Sequence, residues 1–116
     1  MKIKTIKWSN RKIKIYFDTK RVEGLKKELH LDETPYGYTI NSESKIVIRT
    51  NMDKVIQRTT LWHELGHILL NSLGGLDSEA TVETYARFID EVFSRNKWLR
   101  QLYLKEEKVN ERREKK

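Results

Sequence analysis

The sequence has no cysteine. Disulfides and thiolate metal ligands are therefore excluded, and any bound metal must be held by histidine, aspartate or glutamate. The same absence suits a reducing compartment. Proline occurs once, at Pro35, so only one segment carries that punctuation. No apolar run approaches the roughly 20 residues that cross a bilayer. The start, MKIKTIKW, lacks the apolar stretch of a signal peptide. These absences lead us to expect a soluble cytoplasmic protein without membrane contact.

What is present is charge. Of 116 residues, 35% are charged and 37% hydrophobic, enough for one small core and one domain. The net charge of +7 is unevenly spread. Residues 1–27 hold 10 basic and 2 acidic side chains, residues 28–94 hold 5 and 11, and residues 95–116 hold 9 and 4. An acidic centre suits a cation site. Basic ends suit a nucleic acid or an acidic partner, although a solvated surface explains them more simply.

Residues 2–8 and 12–18 read as strands, with Ile13, Ile15 and Phe17 alternating with polar residues. Ser9, Asn10 and Arg11 form the turn between them. Val22, Leu25 and Leu29 have helical spacing over residues 20–30, with Gly24 as a weak point. Residues 32–37 read as a loop. Residues 36–40 and 45–49 are β-rich and separated by turn-like Asn41 to Ser44, which predicts a hairpin. Asn51 or Asp53 can cap a helix that runs to about Leu73 and ends at Gly74-Gly75. Asp77 or Ser78 can cap the next, which runs to about Ser94 with an apolar stripe of Val82, Tyr85, Ala86, Ile89, Val92 and Phe93. Residues 97–104 are expected to continue as helix and pack back on the core. From Lys105 the chain is nearly all charged and reads as a frayed or disordered tail. The fold class expected is α+β, a small antiparallel or mixed sheet of about four strands packed on helices, with one domain over residues 1–104.

The chemistry lies in His63-Glu64-Leu65-Gly66-His67. On a helix, residues four apart share a face, so both imidazoles can reach one tetrahedral Zn2+. Glu64 lies off that axis, where it can reach a metal-bound water without ligating the metal. A metal lowers the pKa of its water, and a carboxylate can take the proton as the water attacks a carbonyl. A third protein ligand is needed. His30 fits a surface position better than a ligand position. Glu79 and Glu83, one turn apart on the following helix, are the better candidates, and a tight Gly74-Gly75 reversal would bring that helix back beside the first. Gly66 costs its helix about 1 kcal/mol relative to alanine, which suggests close approach of another element or of substrate.

The stretch from Thr60 to Leu70 resembles the site helix of the ImmA/IrrE-type metallopeptidases, gluzincin-like proteins often carried by phages and mobile elements. Gly37 and Lys45-Ile46-Val47-Ile48 are similar to that family's strand before the site helix. Glu79, Val82, Tyr85-Ala86 and Ile89 are similar in spacing to its ligand helix. The resemblance spans roughly residues 36–94. It implies Glu79 rather than Glu83 as third ligand, a zinc peptidase activity with Glu64 as general base, and a protein substrate, which in the better-known members is a repressor. Two features depart from the pattern: Glu83 stands where the family has asparagine, and the Leu-Leu-Met-Pro ending is absent. The competing expectation is a regulatory module that holds metal for structure and meets protein or nucleic acid through its basic ends. A purely structural site has no need of Glu64. No residue stands out as an oxyanion stabiliser, Tyr85 and Tyr103 included.

Overall fold

The computed structural model describes residues 2–74 and 78–102. Two strands open the chain, β1 (Lys2–Trp8) and β2 (Arg11–Phe17), paired antiparallel across Ser9-Asn10 with Ile6 opposite Ile13. Ser9 takes a positive φ of 55° to make this tight reversal. Asp18 then stops the strand and starts helix α1 (Thr19–Leu29), its side chain accepting from the Lys20 amide. His30 closes α1 in the left-handed conformation.

The predicted hairpin forms as β3 (Gly37–Ile40) and β4 (Lys45–Ile48), antiparallel with Thr39 opposite Ile46. A single 3-10 turn, Asn41–Glu43, joins them, ending in Ser44 at positive φ. β4 enters the sheet parallel to β2, with Ile15 beside Ile46, so the strand order is β1-β2-β4-β3. Parallel neighbours need a crossover, and α1 lies within it. The chain is thus α+β with a four-stranded mixed sheet.

Helices α2 (Lys54–Ser72) and α3 (Glu79–Arg95) follow. Asp53 caps α2 through the Val55 amide at 2.8 Å, and Ser78 caps α3 through the Thr81 amide at 3.1 Å. Leu61, Leu65 and Ile68 recur at helical spacing on α2 and pack on Ile13, Ile15, Ile46 and Ile48 of the sheet. On the opposite sheet face, Val47 is buried and α1 supplies the fully buried Val22. α2 and α3 pack side by side where Gly66 lets them: a Cβ there would lie 3.2 Å from Val82 Cγ1 and 3.4 Å from the Tyr85 ring. The glycine in the site helix therefore serves helix-helix approach.

Residues 97–102 are helical, but Trp98 and Leu102 are exposed, so the expected packing of this segment onto the core is not seen in its described part. Gly75, Asp77, Tyr103, Leu104 and the charged tail over 105–116 lie outside the described residues. Among the described residues, no helix is long and apolar enough to cross a membrane.

Candidate metal centre

The helical period that turns Leu61, Leu65 and Ile68 to the sheet turns His63 and His67 toward α3. Their Nε2 atoms lie 3.2 Å apart. Glu79, the first residue of α3, reaches across and places Oε2 at 3.1 Å from His63 Nε2 and Oε1 at 3.1 Å from His67 Nε2. One ligand atom from each of these three residues falls within a 4.8 Å group, so the three could hold one metal ion.

Glu83 sits one turn further along α3 and does something different. Its Oε2 lies 3.1 Å from His63 Nδ1, the ring nitrogen that faces away from Glu79. A proton on Nδ1 donated to Glu83 leaves the Nε2 lone pair directed at the Glu79–His67 corner. A neutral histidine has one N–H, yet both His63 nitrogens face carboxylate oxygens. The arrangement accommodates a cation at Nε2, with Glu83 accepting from Nδ1. The third histidine, His30, is exposed at the end of α1 and does not join the group.

Glu64 lies beside the histidines and is turned toward the edge strand, lining the same cleft as His63. It is only 6% exposed. Thr39 on β3 donates its hydroxyl to Glu64 Oε2 at 2.6 Å and approaches the Glu64 carbonyl at 3.3 Å. Burial pushes the Glu64 carboxyl above the ordinary carboxylate value. The Thr39 hydrogen bond and then the His67 and His63 rings pull it back, and Glu79 pushes it up. The strand alternation that puts Thr39 on the α2 side puts Gly37 there too. A Cβ on Gly37 would meet the Val47 carbonyl at 2.7 Å and Thr60 Cγ2 at 3.1 Å. The glycine lets β3 lie close enough to α2 for Thr39 to reach Glu64.

A cleft of about 520 Å³ opens beside these groups, lined by Gly37, Thr60, His63, Glu64, Ala86 and Asp90 among others. That volume lies within the range of small-ligand and side-chain pockets. Its floor is α2, with β3 on one side and α3 on the other. Arg58 ties α2 to α3 at its far end, with Nε 2.6 Å from Asp90 Oδ1. Tyr85 faces away, lining a smaller pocket with Trp8, Ile13 and Leu65.

Residue by residue, the structure brings together His63, His67 and Glu79, and places Glu64 beside them against Thr39. Two roles were not visible in the sequence: Thr39 as the Glu64 partner and Glu83 as the partner of the outer His63 nitrogen. Thr39 carries only a strand-alternation signal, and nothing local says which helix that strand lies against. Comparison with protein-family models, curated proteins and solved structures finds no match.

Proposed function

We propose that the protein is a zinc-dependent peptidase in which His63, His67 and Glu79 hold the metal and Glu64 is the general base. Zinc is favoured by the ligand set, two imidazoles and a carboxylate without sulfur. One ligand atom from each residue falls within a 4.8 Å group, close enough for the three side chains to converge on one ion, with the two Glu79 oxygens facing one histidine each. Glu83 completes a carboxylate-histidine pair of the kind that orients metal-binding rings.

The observation that carries the peptidase reading is the placement of Glu64. Its carboxylate is buried beside the ligand histidines, held in one orientation by Thr39, and borders the cleft. A structural metal site has no use for such a group. Bound there, zinc would lower the pKa of a coordinated water and polarise a carbonyl. Glu64 takes the water's proton and returns it to the leaving amine. Thr39 holds the carboxylate so that one oxygen stays available. β3 is the edge strand of the sheet, so an extended peptide can pair along it with its scissile bond near Glu64.

The test is hydrolysis of a fluorogenic peptide library by zinc-loaded protein and by Glu64→Gln. The substitution keeps zinc and lowers turnover by about 10²–10⁴ fold. Unchanged turnover in Glu64→Gln against any cleaved peptide refutes the assignment.

A further inference from the structure

We propose that the outer face of β1 and β2, opposite the metal centre, binds the phosphodiester backbone of a nucleic acid. Alternation places Lys7, Lys12, Lys14 and Lys45 on the sheet face that α1 covers only in part. Lys7 is the cross-strand partner of Lys12, and Lys14 is the register partner of Lys45. Lys7, Lys12 and Lys14 are exposed, and Lys45 is half-buried. Like charges placed side by side destabilise a sheet. Protection of an exposed edge explains lysines on β1, as it does for Lys2 and Lys4. It does not explain Lys12 and Lys14, because β2 is an interior strand paired on both sides.

The local acids do not cancel the patch. Glu43 lies 3.7 Å from Lys45, and Asp18 lies 3.3 Å from Arg21. Among the described residues, no ion pair engages Lys7, Lys12 or Lys14. Lys12 and Lys14, two residues apart on one strand, repeat at about 6.7 Å, which makes a row of cations with the strand spacing. This regular, unpaired positive row is the complement of a regular polyanion.

Tyr16 sharpens the kind of contact. Its ring is already engaged by Arg21 at 4.6 Å and Lys45 at 5.3 Å. It is therefore not offered to a base for stacking. The face meets phosphates and reads no sequence. α2 and α3 lie on the other side of the sheet, so the cleft stays open while this face is occupied. The inference does not depend on the peptidase reading.

The experiment is fluorescence anisotropy with the full chain, a labelled duplex and a labelled single strand, over a salt series. Wild type is compared with K7Q/K12Q/K14Q and with the equal-charge control R95Q/K97Q/R100Q, after matched melting curves. Loss of three phosphate contacts reduces the salt slope of log K by about 2.7 for duplex and about 2.1 for single strand. At about 50 mM salt the affinity of K7Q/K12Q/K14Q drops more than tenfold, while the control stays within about twofold. This pattern with either polymer supports the proposal. Equal loss in the control, no wild-type binding to either polymer, or tighter binding to polyglutamate than to both, overturns it.

Discussion

Removing Glu79 and removing Glu83 should have different consequences, and the difference is calculable. Glu79 touches both inner histidine nitrogens, whereas Glu83 touches only the outer nitrogen of His63. Both carboxylates are largely exposed, 76% and 57%. Without metal, each contact is therefore a surface ion pair worth at most about 1 kcal/mol, and Glu79→Ala and Glu83→Ala melt near wild type. With zinc the two separate. Zinc at a hundredfold excess over its Kd stabilises the wild type by about 2.7 kcal/mol. At roughly 4 °C per kcal/mol for a domain of this size, that is a rise of about 11 °C in Tm. Loss of an outer partner weakens metal binding by about 10–100 fold, and loss of a ligand by more. At the same zinc concentration a tenfold loss leaves about 1.4 kcal/mol, or about 6 °C. A hundredfold loss leaves about 0.4 kcal/mol, or about 2 °C, so Glu79→Ala should rise by less than that. The assay is a thermal melt with and without zinc, backed by competition against a chromogenic chelator. Equal zinc responses in the two variants, or the larger loss in Glu83→Ala, would refute the ligand assignment.

Two further predictions test the elements that position the site. Thr39→Val removes the 2.6 Å hydrogen bond to Glu64 and leaves a buried carboxylate without that donor. Stability falls by about 1–3 kcal/mol in a denaturant melt, and turnover falls while zinc affinity holds within a few fold. Gly37→Ala drives a Cβ to 2.7 Å from the Val47 carbonyl, a backbone atom that cannot swing aside. It costs about 1–3 kcal/mol, and an unchanged urea midpoint would show that β3 does not lie as close to α2 as described.

The secondary structure was legible because its signals are local. Alternation at Ile13, Ile15 and Phe17 marks a strand, and Asp53 and Ser78 are N-cap residues at the starts of α2 and α3. Boundaries drifted by a residue or two. Asp18 ends the strand-like run in the sequence and instead caps α1, because its short carboxylate reaches the Lys20 amide. Helical spacing of Trp98, Leu99 and Leu102 shows a face, not whether a surface is free to receive it, and within residues 97–102 Trp98 and Leu102 are exposed.

By itself, the sequence determined that His63 and His67 share one side of a helix with Glu64 beside them. The 3.6-residue period follows from backbone hydrogen bonding and needs no distant contact. It also narrowed the third acidic group to two glutamates one turn apart. Only the tertiary structure decided between their positions, because that depends on how α3 is rotated and shifted against α2, set by Val82 and Tyr85 packing on Gly66. The parallel insertion of β4 beside β2 was likewise a long-range choice. It makes β3 the edge strand, brings Thr39 to Glu64, and leaves the lysines of β2 on an open face. Helix and strand periods say which residues share a face, and only packing says what each face meets.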